Sequence, residues 1–296
     1  MLHCDLQETA AGLVKLLAEQ SGKPRGFGTM SSSIYDTAWV SMVRKPITKP
    51  VSNGDTAAES KWLFPDSFEA VLESQHPNGG WQSYASPVDG ILNTAAALLT
   101  IRKHLRDSVV VASKPDLELR GAKAESALRQ QLTAWDMRDC DHVGFEVLVA
   151  RHLEYLDDEG IVIDLPVRHS LKVLETAKLS KLPPKYVETY PSTLVHSLEA
   201  LVGKVDFNSM RHLRSHGSML GSPSSTAAYL MNISEWDDEA EAYLQDVVGR
   251  QIIGELFPGK LGRGQVPCAW PTTIFEVVWV RNLQCFSQTN HPFYRH

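Results

Sequence analysis

The chain has 296 residues, 43% of them hydrophobic and 22% charged, with a formal net charge of −6. That composition suits a globular protein with one large core or two smaller ones. Mixed charge without a basic stripe argues against nucleic-acid binding, and no apolar run reaches membrane-spanning length. The N-terminus has neither a basic nor an apolar leader region. Cys4, Cys140, Cys268 and Cys285 form no CxxC pair, so reduced thiols in a cytoplasmic protein are the expectation.

In chain order, Leu2, Leu6, Ala10, Leu13 and Leu17 share one face of an amphipathic helix over 2–20, stopped by Gly22 and Pro24. A glycine- and serine-rich loop follows, and a second helix begins at Tyr35 and runs to Val43. Residues 46–60, with Pro46, Pro50, Asn53 and Gly54, read as an exposed connection. A short helix follows Phe64 to Phe68, then Gln75-His76-Pro77-Asn78-Gly79-Gly80-Trp81 makes a turn whose indole can seal a helix end.

Further helices are expected over 90–105, 119–135, 144–156, 168–177, 192–202, 237–254 and 272–285. The best strand candidate, 160–164, is short. His216-Gly217-Ser218 and Ser222 to Tyr229 repeat the layout of glycine turn before helix. Such a repeat points to stacked helical hairpins closing into a toroid, an all-α fold.

From Tyr190 to Val202, Leu194, Leu198 and Leu201 recur at helical spacing, with Val195 and Val202 beside them. His196 falls opposite that face, one turn from Glu199. A carboxylate there favours the charged imidazole and raises its pKa. The plain alternative is a solvent-facing histidine.

Several stretches match one family: Ile34 to Val40 (IYDTAWV), Gln75 to Trp81, Gly144-Phe145-Glu146-Val147, Pro191 to Glu199, Ser222 to Ala227 and Trp270 to Glu276. The chain resembles class II diterpene cyclases of the copalyl diphosphate synthase type. It is nearest in style to the N-terminal half of fungal bifunctional copalyl diphosphate/ent-kaurene synthases. The resemblance implies an α/α double-barrel (toroid) γ domain with a partial β domain. Residues 1–60 would begin β, 61–269 would form γ, and 270–296 would return toward β.

The family reaction is protonation-initiated cyclisation of geranylgeranyl diphosphate to a copalyl-type diphosphate. Its acid, the middle Asp of a DxDD motif, requires a carboxyl kept protonated by burial. No DxDD occurs in these residues. The chain therefore reads as truncated before that motif and inactive alone, unless a partner chain supplies the acid.

By the same resemblance His196 helps position the water that removes the final proton, but its usual asparagine partner is replaced by Cys268. A thiol holds water poorly compared with an amide. Lys178 matches a lysine that contacts the substrate diphosphate, although Lys172, Lys181 and Lys185 nearby also suit a charged surface. Asp136, Asp139 and Asp141 match an acidic loop that favours Mg²⁺, against the alternative of a solvated loop interrupted by Arg138 and His142.

Asp36 and Trp39 read as structural. His212 and His216 lack a third zinc ligand. Glu235 to Glu241 spells both an ExDD and a DDxxE, yet capping of the following helix explains it more simply. A non-catalytic helical toroid binding a prenyl diphosphate or a partner protein is the alternative function.

Overall fold

The computed structural model describes residues 30–50, 56–83, 85–140, 142–249 and 262–272, with Gly12 and Lys15. Two units are distinguished, Ser32–Cys268 and Met1–Ser31 with Ala269–His296. Of the latter, Gly12 and Lys15 are helical and Trp270–Pro271 is a cis peptide. The rest of the helix expected over 2–20, the stretch 250–254 and all but Thr272 of the helix over 272–285 lie outside the described residues.

The larger unit opens with β1 (Ser32–Ser33) and α1 (Ile34–Ser41). The strands β2 (Arg44–Pro50) and β3 (Thr56–Trp62) follow, then α2 (Pro65–Glu73), α3 (Pro87–His104), α4 (Ser108–Ser113) and α5 (Leu117–Ala134). Next come α6 (Phe145–Asp158), α7 (Pro166–Leu179) and α8 (Pro184–Thr189). Two 3₁₀ helices, Thr193–Leu201 and Phe207–Leu213, lead to α9 (Pro223–Asn232) and α10 (Asp238–Gly249). β4 (Val266–Pro267) closes back onto β1 in antiparallel register.

The core forms around α3. Ser86 caps it by accepting the Asp89 N–H, Pro87 opens it, and Arg102, Lys103 and His104 end it, which matches charge to both poles of the helix. Small residues Ala95, Ala96 and Ala97 are fully covered, so α1, α5 and α6 can all pack on it closely. α1 is too short to hold on its own. Its helicity comes from burial of Ala38, Trp39 and Val40 against α2, α3 and α9.

The repeated glycine turns do the same work twice. Gly79, at φ +92°, sits where a Cβ would lie 2.4 Å from the Lys123 carbonyl oxygen. Gly217, at φ +85°, would put one 2.4 Å from the Glu239 carbonyl oxygen. Each turn then hands a backbone N–H to a threonine of the next helix: Trp81 to Thr94 Oγ1 and Met219 to Thr226 Oγ1, both at 3.0 Å. In the first copy Gln75 also donates to the carbonyls of Gly79 and Arg120, and the Trp81 indole donates to Val71 O at 2.8 Å.

Local readings are corrected in three places. Residues 46–60 are not a plain connection, because β2 and β3 pair from Arg44 with Trp62 out to Pro50 with Thr56. That hairpin is anchored by Trp62, which stacks on His104 at 3.8 Å, while Phe68 covers the other face at 3.7 Å. The stretch 160–164 forms no strand; Ile161 and Ile163 are buried as single anchors. Residues 192–202 wind as a 3₁₀ helix with a break at Ser197 (φ −140°, ψ 40°), not as an α-helix.

Candidate functional site

The break at Ser197 sends His196 and Glu199 into different surroundings. Glu199 turns inward and is 2% exposed. It accepts from Tyr35 Oη and Ser225 Oγ, each at 2.9 Å, and from Ser224 Oγ at 3.5 Å. Burial, with the nearby Asp36 charge, pushes its carboxyl up to about 7. His196 stays half-buried, and burial lowers its pKa. The expected rise under Glu199 is thus reversed, since that carboxylate is spent on the core.

Asp36 joins the same cluster from α1. It accepts from Ser33 Oγ at 2.6 Å and from the Ser224 backbone N–H at 3.1 Å, and burial raises it to about 6. Beside it His152 is sealed: Nε2 accepts from the Trp39 indole at 3.1 Å, and Nδ1 faces Leu148 O at 2.8 Å. Those two bonds assign the proton to Nδ1, and burial holds the ring neutral with a pKa of about 4. Asp36 and Trp39 therefore work as joints of the α1–α6–α9 core. The motif reading gave both a structural role but did not name Glu199 as part of their cluster.

Lys178 lies in the last turn of α7 and pairs with Glu146 Oε1 of α6 at 2.8 Å. Asp136 pairs with Arg138 at 2.6 Å, and the guanidinium draws its carboxyl down to about 2. Asp136 also lines a cleft of about 420 Å³ with Gln82, Ser86, Gln131 and Trp135. Asp139 ends a short 3₁₀ turn, and Asp141 lies outside the described residues. Among the described residues no three His, Cys, Asp or Glu side chains group as metal ligands, and Asp136 is committed to Arg138.

The structure resolves other pairings too. His212 is engaged by the carbonyls of Ser209 and Thr189. Asp237 is 2% exposed, pairs with Arg214 and Arg211, accepts from Tyr229 Oη, and caps α10 through the N–H groups of Glu239 and Ala240. Burial raises its carboxyl, but the Ala240 N–H and Arg214 outweigh that and hold it below the ordinary value. The DDxxE-like run is accordingly a capped helix start. Among the described residues no helix is long and apolar enough to cross a membrane.

A helical barrel stitched by glycine turns, with a Tyr-Asp-Thr-Ala-Trp helix locked into its core, defines a terpene-cyclase type of fold. Abietadiene synthase from Abies grandis matches it with a TM-score of 0.65 at 26% identity, over 92% of this chain and 32% of that one. The ent-copalyl diphosphate synthase of Arabidopsis thaliana, solved with an aza-dihydrogeranylgeranyl thiolodiphosphate, gives 0.64 at 26% identity, over 92% and 35%.

In sequence, a copalyl diphosphate synthase of Talaromyces verruculosus is 44% identical over 282 residues, 94% of this chain and 28% of its own. An ent-kaur-16-ene synthase of Phaeosphaeria sp. is 39% identical over 282 residues, 93% of this chain and 28% of its own. No protein-family model matches the chain. The chain is a homologue of the class II diterpene cyclases, and it spans 28% of the length of these curated relatives.

Proposed function

We propose that this chain contributes the γ-barrel wall of a diterpene cyclase site, in which geranylgeranyl diphosphate is cyclised to a copalyl-type diphosphate. In this reading residues 61–269 are γ, and 1–60 and 270–296 belong to β; the contact unit Ser32–Cys268 holds all but the last residue of that γ stretch, Ala269, together with the Ile34–Ser41 helix. The observation that carries it is the 44% identity to a copalyl diphosphate synthase over 94% of the chain; His196, half-buried and with its pKa lowered by desolvation, is consistent with it. A neutral imidazole keeps an acceptor nitrogen at neutral pH, which the charged ring would lack. It can hold a water or take up the proton that ends a carbocation cascade. Glu199, Tyr35 and Ser225 fix the backbone turn behind it, so the ring stands on a rigid support.

Lys178 is the diphosphate contact in this reading, a compact point charge exchanging Glu146 for a more highly charged partner. Magnesium enters only as the diphosphate's own counter-ion. In this reading the acid that starts the reaction is not among the described residues, where the buried carboxyls Asp36 and Glu199 are bonded into the core. A second polypeptide or further chain would supply it.

Calorimetry of the chain with the thiolodiphosphate analogue tests the wall. Binding that weakens about tenfold in Lys178→Ala supports it, as expected for one lost charge-assisted contact. Equal affinity in the two proteins refutes the assignment of Lys178. No binding to either refutes the wall itself.

A further inference from the structure

A second cleft, of about 490 Å³, opens at the C-terminal ends of α1, α3 and α9. Its floor is apolar and close to sealed: Trp39, Met42, Leu99 and Leu230. Trp62, Tyr155 and Trp236 add aromatic walls, and Arg44, Lys103 and Arg106 stand around it. Neither His196 nor Lys178 lines this cleft. The unit's two chain ends meet at the other pole of α1, where β1 pairs with β4.

The charges at the cleft do not balance. Lys103 and Arg106 share the single buried carboxylate of Glu159, at 3.4 and 2.7 Å. Arg44 reaches Asp107 only at 3.8 Å, and that carboxylate already accepts the Trp62 indole N–H at 2.9 Å. Three cations thus face two carboxylates, leaving one positive charge over. Basic residues do offset the partial negative charge at the end of α3. That role alone asks for neither an aromatic floor nor Arg44, whose guanidinium lies 4.6 Å over the Trp62 ring from a different element. A guanidinium stacked on an indole keeps in-plane N–H groups for an anion. The volume also falls in the ordinary range for small-molecule pockets.

We propose that this cleft is a binding site for a small amphipathic anion. Its aliphatic or isoprenoid chain lies on the tryptophan-lined floor, and one phosphate or carboxylate head meets Arg44 and Arg106. The site is separate from the wall that carries His196 and Lys178, so its occupant can differ from the cyclase substrate.

Tryptophan fluorescence of the 296-residue chain tests this, titrated with dodecyl phosphate, dodecanoate, dodecanol and inorganic phosphate below micellar concentrations. The expected result is a saturable change with the phosphate or carboxylate amphiphile, the tighter of the two naming the head group. Dodecanol and inorganic phosphate should each bind at least about tenfold more weakly, the worth of one charge-assisted bond or of the buried chain. Arg44→Gln combined with Arg106→Gln changes exposed side chains and leaves Glu159 paired with Lys103; with an unchanged circular dichroism spectrum, it should weaken the amphiphile by about tenfold or more. Met231→Trp, filling the cleft, should abolish the signal, and Lys178→Ala should leave it unchanged. Equal affinity for dodecanol, an unaltered Arg44→Gln/Arg106→Gln titration, loss in Lys178→Ala, or no saturable change would each overturn the proposal.

Discussion

The Asp36 carboxylate accepts the backbone N–H of Ser224 at 3.1 Å, so a side chain of α1 caps the first turn of α9. The bond joins two family-like motifs far apart in the chain and draws Glu199 into the same cluster through Ser224 Oγ. Asp36→Ala should cost about 2–4 kcal/mol, because it orphans a buried N–H and opens a hole. Asp36→Asn keeps an acceptor oxygen and should cost less. Urea midpoints of the two variants give the comparison, and equal losses would mean the hydrogen bond is incidental.

Stability should depend on pH through the same cluster. Asp36 at about 6 and Glu199 at about 7 both lie above their unfolded values, so the native state keeps protons that the unfolded chain releases. Their contribution is fully present below the unfolded carboxylate range and is lost as pH rises through 6 and 7. His104 and His152, held down at about 4, act oppositely and lose stability as pH falls from the histidine range through 4. Glu199→Gln separates the two. Relative to that variant the wild-type chain should lose on the order of 2–3 kcal/mol between about pH 4.5 and 7. A constant difference across that interval would contradict the burial of an ionisable Glu199.

Alanine at the two turn glycines should be far more damaging than at a glycine with open space. Gly79→Ala and Gly217→Ala each drive a Cβ into a carbonyl oxygen at 2.4 Å, besides the unfavourable positive φ. Gly160, at φ +81° with nothing within 4 Å, isolates the conformational part alone. Thermal unfolding should place Gly160→Ala about 1 kcal/mol down and both turn variants at least twice that. Parity among the three would mean that the turns do not bear on α5 and α10.

Asp237→Asn addresses the DDxxE-like run. The buried carboxylate is matched by Arg211 and Arg214, so neutralising it should cost about 3 kcal/mol, seen as a lower thermal midpoint. Phosphate-release assays with Mg²⁺ should give no diphosphate ionisation from wild type or variant. Release by wild type that vanishes in Asp237→Asn would restore a catalytic reading of this helix start.

What the sequence made legible, and what it hid, divides by the range of the interaction. The helices 90–105 and 144–156 were readable because their apolar spacing is local, and they appear as Pro87–His104 and Phe145–Asp158. The repeated turns were readable because glycine is demanded wherever a Cβ would meet a neighbouring carbonyl oxygen at 2.4 Å. The inward turn of Glu199 was not, since helical spacing does not distinguish a 3₁₀ winding broken at Ser197 from an α-helix. The β2–β3 hairpin was hidden behind Pro46, Pro50 and Gly54, and its anchor is the distant pairing of Trp62 with His104. The pairings of Lys178 with Glu146 and of Asp136 with Arg138 are side-chain choices on which backbone periodicity is silent.

The central claim is that these residues form a substrate wall without its proton source, and product analysis tests it most directly. Purified chain is incubated with geranylgeranyl diphosphate and Mg²⁺, treated with phosphatase, and the alcohols are separated by gas chromatography with mass detection. The account predicts geranylgeraniol alone. Any bicyclic copalol would contradict it, and would mean that a carboxyl within these residues protonates the substrate.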